Sequence, residues 1–234
     1  HAHDWQTALL PVYLKTTHRT DPFFQQTATV FTIHNLGYQG LFPPEVLPRL
    51  LLPLDLFTPA GLECYGNGSL LKGGLLFADL LTTVSRRYSE EIQTAECGFG
   101  LDGVLRERKS DLFGVLNGID PEEWNPASDP HIAAHYTVDD FAGKALCKAD
   151  LQQRFRLPVK ATVPLLAVIS RLAGQKGLDL LRDNLEPLMA LNLQLVLLGS
   201  GEKELEVAFR EAAAKYPSKL AVQIGFDIPL SHQI

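Results

Sequence analysis

The stretch Ser170-Arg171-Leu172-Ala173-Gly174-Gln175-Lys176-Gly177 places a guanidinium and an ammonium five positions apart in a loop with two glycines. It follows an apolar run, 164–169, that reads as a strand, and it leads into a helical pattern beginning at 178. Ligands of open α/β sheets sit beyond the carboxyl ends of the strands. A helix N-terminus at such a place adds unpaired N–H groups and the positive end of a dipole. With Arg171 and Lys176 beside it, the expected chemistry is a clamp on a diphosphate. The plain alternative is a surface loop carrying two solvated cations.

Other groups offer weaker signals. His34 ends the apolar run 29–33 and precedes Asn35, so its ring should reach a ligand-facing rim; a satisfied core histidine is the alternative. His1, His3 and Asp4 have the composition of a zinc-hydrolase site, but no other His or carboxylate cluster completes the set. His131 and His135 are four apart, with no Glu arranged for a zincin site, and are expected at the surface. Gly199-Ser200-Gly201 follows an apolar run and would let backbone approach a nucleotide, although the full G-x-G-x-x-G is absent. Gly225-Phe226, after the run 220–224, is similar in kind. Lys72-Gly73-Gly74 lies inside an apolar helical pattern and lacks the remainder of a phosphate loop, so close helix packing is expected there.

The elements that must position these groups follow from hydrophobic periodicity. Continuous apolar runs at 29–33, 80–84, 112–116, 164–169, 193–198 and 220–224 read as strands covered on both faces, as in parallel sheets. Helical patterns fill 69–80, 85–93, 138–156, 178–191 and 203–216, with Ser85 placed to cap the second. Strands alternating with helices give an α/β class. The turn-rich segment Asn117-Gly118-Ile119-Asp120-Pro121 closes one series before a second begins. Two lobes are therefore expected, residues 1–117 and 118–234, with a hinge near 117–120.

Composition narrows the partners. The 234 residues carry a net charge of −6, with no block of Lys and Arg, so nucleic acid is not expected. No apolar run reaches the roughly 20 residues of a membrane span. Three separated cysteines suggest neither a disulfide framework nor a metal site and fit a reducing cytoplasm. A start at His1 rather than Met, and an end without any terminal signature, suggest an internal stretch of a longer chain.

Five segments taken in order resemble the bacterial-type glycogen and starch synthases, within the GT-B glycosyltransferases. His1-Ala2-His3-Asp4-Trp5 is similar to that family's H-x-H-D-W. Thr32-Ile33-His34-Asn35-Leu36-Gly37-Tyr38-Gln39-Gly40 is similar to T-[IV]-H-N-[LI]-x-Y-Q-G. Val115-Leu116-Asn117-Gly118-Ile119-Asp120 with Trp124 is similar to V-L-N-G-[IV]-D-x-x-x-W. The Arg171 loop resembles the S-R-L-x-x-Q-K-G donor-phosphate motif, and Leu198-Gly199-Ser200-Gly201-Glu202 the L-G-x-G-[DE] turn.

The resemblance implies two Rossmann-like lobes facing across a cleft. Residues 1–117 would form the C-terminal part of the acceptor-side lobe. Residues 118–234 would form the hinge and the N-terminal part of the nucleotide-sugar lobe. It implies transfer of glucose from ADP-glucose, with retention, to the non-reducing end of an α-1,4-glucan, in a bacterial cytoplasm or a plant plastid. Other GT-B enzymes using UDP-glucose remain the alternative. Arg171 and Lys176 would hold the diphosphate, with Gly199, Gly201 and Phe226 on the donor side. His34 would contact the transferred glucose. Asp4, Trp5 and Asn117 would lie toward sugar and acceptor, Asn117 serving equally as a turn residue. No D-x-D motif is present, so neither a metal nor a cofactor is expected. A K-x-G-G-L loop upstream and an E-x-C-G-L segment downstream would complete the family's site, so these residues alone are expected to be inactive.

Overall fold

The computed structural model describes residues 1–234, which form two compact units, His1–Gly118 and Ile119–Ile234. In chain order the first contains β1 (Ala2–His3), α1 (Asp4–Thr7), α2 (Leu9–Lys15), β2 (Val30–Ile33), β3 (Leu41–Phe42), β4 (Glu63–Cys64) and β5 (Asn67–Ser69). It continues with α3 (Leu70–Phe77), β6 (Leu80–Thr83), α4 (Arg86–Glu91), α5 (Asp102–Glu107) and β7 (Leu112–Gly114). The second contains α6 (Ala142–Arg154), β8 (Leu165–Ile169), α7 (Leu178–Asp183), α8 (Leu185–Ala190), β9 (Gln194–Gly199), α9 (Lys203–Lys215), β10 (Leu220–Ile224) and α10 (Ile228–Gln233).

A parallel sheet ordered β1-β2-β6-β7 forms the centre of the first unit. Phe31 and Ile33 of β2 and Leu81 of β6 are fully buried against Leu71 and Leu75 of α3. The glycines of α3 admit this packing: a Cβ on Gly74 would lie 2.5 Å from the Phe31 ring, and one on Gly73 would lie 2.6 Å from Leu62. Lys72 is buried between them, and its ammonium donates to the carbonyls of Pro59 and Glu63, each at 2.6 Å. A lysine so held is a structural tie, with two of its three donors turned to backbone carbonyls. Ser85 caps α4 by accepting the N–H of Tyr88.

The second unit has a parallel sheet ordered β10-β9-β8. Every residue of β9 is buried, with Leu205 and Phe209 of α9 packed against it. The run 164–169 was expected to be covered on both faces. Instead, β8 pairs on one side alone and exposes Leu166 and Ile169. β7 is likewise an edge strand, with Phe113 exposed.

Helix boundaries also differ from expectation. The pattern 178–191 is two helices that meet at Asn184, whose side-chain amide joins its backbone N–H in donating to the Leu180 carbonyl. The pattern 138–156 becomes helical at Ala142, whose N–H is taken by the Asp140 carboxylate. A second, antiparallel sheet, β3-β5-β4, was not anticipated.

Candidate functional site

Backbone packing shapes the Arg171 loop. Leu172, fully buried, forms a parallel bridge with Gly201. Its N–H donates to the Ser200 carbonyl at 3.0 Å, and its carbonyl accepts from Glu202 N–H at 2.8 Å. This approach requires the two glycines: a Cβ on Gly199 would stand 1.9 Å from the Ser170 oxygen, and one on Gly201 would stand 2.2 Å from the Leu172 oxygen. The Gly-Ser-Gly turn thus supports the neighbouring loop as well as leaving room above itself. The room is a cavity of about 540 Å³ over the carboxyl ends of β8, β9 and β10, lined among others by Arg171, Gly199, Gly201, Gly225 and Phe226.

Arg171 is exposed, and its guanidinium meets the neutral amide oxygen of Gln175 at 3.3 Å. Lys176 is exposed on the same loop but does not line the cavity. The helix expected after Gly177 has six residues and follows a single 3₁₀ turn, Gly174–Lys176. One N–H of that turn, from Gly174, donates to the Glu202 carboxylate at 3.2 Å. Arg171, rather than a long helix dipole, is therefore the positive group that the cavity wall presents. Phe226 is 90% exposed at the cavity wall. An aromatic face left so open is available for stacking.

In the first unit, β1 and β2 bring the histidines together at the carboxyl edge of the sheet. His3 Nδ1 lies 3.0 Å from His34 Nε2, His1 stacks on His3 with centroids 4.2 Å apart, and His1 Nε2 bonds Thr32 Oγ1. Asp4 turns inward: its Oδ1 accepts the N–H of His34 at 2.7 Å and of Asn35 at 3.4 Å. These contacts do not form a metal-binding set, since no group of three or more His, Cys, Asp or Glu side chains converges. Asn117 is exposed in irregular chain beyond β7.

Trp5 lines a different groove, of about 750 Å³, together with Tyr38, Gln39, Gly40, Phe42, Tyr65 and Phe99. Tyr65-Gly66 and Phe99-Gly100 are both aromatic–glycine turns with positive φ at each residue. Tyr65-Gly66 joins Cys64 to its partner Asn67 in the β4–β5 hairpin, as a primed turn does. Tyr65 Oη lies at hydrogen-bond distance from the Gly100 carbonyl, and Gln39 donates to that of Phe99, so the two turns brace each other. These rings were not singled out from sequence. The two aromatic–glycine dipeptides were the signal available.

His131 and His135, expected at the surface, sit in a non-helical turn around Asp129. Asp129 is buried and accepts from the His131 N–H at 2.8 Å. It also bonds the buried His232 ring at 2.7 Å. Trp124 stacks on His232 with centroids 3.9 Å apart. Burial alone would push the Asp129 carboxyl up, but those hydrogen bonds and the neighbouring imidazoles outweigh it and hold it below the usual range.

Comparison with known proteins finds similar sequences along the whole chain. A family model for the starch synthase catalytic domain matches residues 1–107. The glycogen synthase of Pseudothermotoga lettingae is 51% identical over all 234 residues, which cover 48% of that protein. The glycogen synthase of Thermotoga maritima is also 51% identical over the whole chain, again covering 48% of the relative. A solved structure of the catalytic domain of Arabidopsis thaliana starch synthase IV, bound to ADP and acarbose, superposes with a TM-score of 0.91. It is 31% identical and matches 99% of this chain and 48% of its own. The chain spans about half the length of the curated relatives it matches.

Proposed function

The chain belongs to the glycogen and starch synthase family, and on that premise we propose that it serves a retaining glucosyltransferase. The reading is that glucose passes from ADP-glucose to the non-reducing end of an α-1,4-glucan. The second unit would take the nucleotide and the first the sugar and the growing chain.

The observation that carries the reading is the cavity beyond β8, β9 and β10. It has an uncompensated guanidinium at one wall, a glycine turn at its floor and a bare phenyl ring at another wall. Arg171 would hold the diphosphate with Lys176 reaching in from the same loop, and Phe226 would lie against the base. As the glycosidic bond to the diphosphate breaks, negative charge grows on the leaving group. Fixed cations stabilise that charge without reorganising. No step of this reading calls on a metal.

In the first unit, the aromatic groove beside Trp5 suits the apolar faces of successive glucose rings. His34 and Asn117 would contact the transferred sugar. Asp4, with one oxygen committed to backbone N–H groups, would act on the sugar side chiefly by holding His34 and Asn35 in place. The starch synthase IV structure, bound to ADP and acarbose, supports a nucleotide and a glucan-like ligand on this fold.

Calorimetric titration with ADP tests the assignment, with UDP as competitor. Arg171→Ala should weaken ADP by about 10- to 150-fold, the worth of one charge-assisted hydrogen bond at ~1.5–3 kcal/mol. Lys176→Ala should weaken it as well. ADP affinity untouched by Arg171→Ala would remove the clamp, and preference for UDP would move the donor to UDP-glucose.

A further inference from the structure

We infer that His3 is a positioning residue for His34, fixing which nitrogen of the His34 ring carries its proton. The inference rests on the proposed contact between His34 and the transferred sugar. His3 ends β1 opposite Thr32 of β2, and His34 follows two residues later on the same face. The rings meet edge to edge, Nδ1 of His3 to Nε2 of His34, at 3.0 Å, with centroids 5.2 Å apart.

His3 itself is held from several directions. Its N–H donates to Thr7 Oγ1 at 2.6 Å, and its carbonyl accepts from the same hydroxyl at 2.7 Å. His1 stacks on its outer face and is anchored in turn to Thr32 Oγ1. The His34 backbone is pinned by Asp4, so its ring retains mainly rotation about its own bonds.

A hydrogen bond between two neutral imidazoles holds one proton, so one nitrogen donates and the other accepts. If His34 Nε2–H donates to His3 Nδ1, each ring keeps its proton on Nε2, the tautomer that a free imidazole favours. The opposite sense would put both protons on Nδ1. The tautomer preference of the two paired rings therefore gives His34 a bare Nδ1, able to accept from a sugar hydroxyl. His3 sets that state without touching the sugar, because the identity of the protonated nitrogen is fixed by the partner of the other one.

The test is ¹⁵N-resolved NMR of the histidine rings at about pH 8, above the usual imidazole range. The expected spectrum has His34 protonated at Nε2 and bare at Nδ1. His3→Ala should replace it with a tautomer mixture. His3→Asn, whose Oδ1 can stand in for Nδ1 as acceptor, should restore it. A His34 pattern unchanged in His3→Ala, or a wild-type ring protonated at Nδ1, would overturn the inference. Glucan elongation from ADP-glucose by the full-length enzyme gives the second readout. His3→Ala should lower kcat by roughly tenfold, the weight of one positioned hydrogen bond, with little change in KM for ADP-glucose. His3→Asn should recover most of that loss, and an Asn variant as impaired as the Ala variant would overturn the positioning role. Absence of glucose transfer by the unsubstituted enzyme would sink the proposed function, while the ring spectra still decide whether His3 sets His34.

Discussion

Gly201→Ala should loosen the Arg171 loop and weaken nucleotide binding together. The added methyl would sit 2.2 Å from the Leu172 oxygen and 2.8 Å from its carbonyl carbon. A carbon and a carbonyl oxygen approach no closer than about 3.3 Å even in a weak hydrogen bond, so the two segments must part by about 1 Å. That separation breaks the bonds from Leu172 N–H to Ser200 and from Glu202 N–H to Leu172. At ~0.5–1.5 kcal/mol each they sum to about 1–3 kcal/mol, against an unfolded-state gain from Gly→Ala of about 0.4–1 kcal/mol. A net loss of about 1–2 kcal/mol is expected. Urea unfolding in a Trp5→Phe background isolates the second unit, because Trp124 is then the sole tryptophan. ADP affinity should fall by about tenfold as Arg171 shifts with Leu172. Gly118→Ala is the control: its Cβ would meet nothing within 4 Å, and its stability should change by no more than ~0.5 kcal/mol. A Gly201→Ala midpoint equal to that of the parent would refute the close-approach argument.

Two further perturbations address the remaining features. Gly40 has φ of 60° and its Cβ would lie 2.7 Å from the Trp5 ring, so Gly40→Ala should displace the indole and reduce maltoheptaose affinity severalfold. Fluorescence of Trp5 in a Trp124→Phe background reads this, and an unmoved spectrum with unaltered affinity would count against Trp5 as a glucan platform. Asp129 is held low in the folded state, so its contribution to stability is present above the unfolded carboxylate value near ~4. It is lost as the pH falls through the lower folded value. Trp124 fluorescence should report easier unfolding below about pH 4, and Asp129→Asn should flatten that limb; an Asn variant with the parental acid limb would contradict the assignment.

The six apolar runs were legible because each is a strand of a parallel sheet, and the uninterrupted pattern marks such strands even where, as in β7 and β8, an edge leaves residues exposed. β3, β4 and β5 were not, since strands of two or three residues carry too little pattern to separate from loop. The break at Asn184 falls inside a continuous helical pattern, so periodicity does not register it. Asp129 and His232 lie 103 positions apart, so no spacing rule could join them. The edge exposure of Leu166 was hidden for another reason. An apolar run states what a strand can bury, while its neighbours decide what it does bury.

The motif residues were legible as types, and their division of labour was not. Asp4 reads from sequence as a carboxylate for sugar hydroxyls. In the fold it adopts φ of 51°, a left-handed conformation costing a non-glycine residue on the order of 1 kcal/mol. That strain is offset by the bonds its carboxylate takes from the N–H groups of His34 and Asn35. The same sharp turn ends β1 and sends the next residue, Trp5, into the aromatic groove. One strained residue therefore ties the end of β1 to the segment that follows β2 and aims the indole. Gly201 has the same double character, since the space that a ligand would use and the support for the Arg171 loop come from one missing side chain. Short motifs stay compact in sequence where backbone geometry and ligand chemistry both depend on the same few atoms.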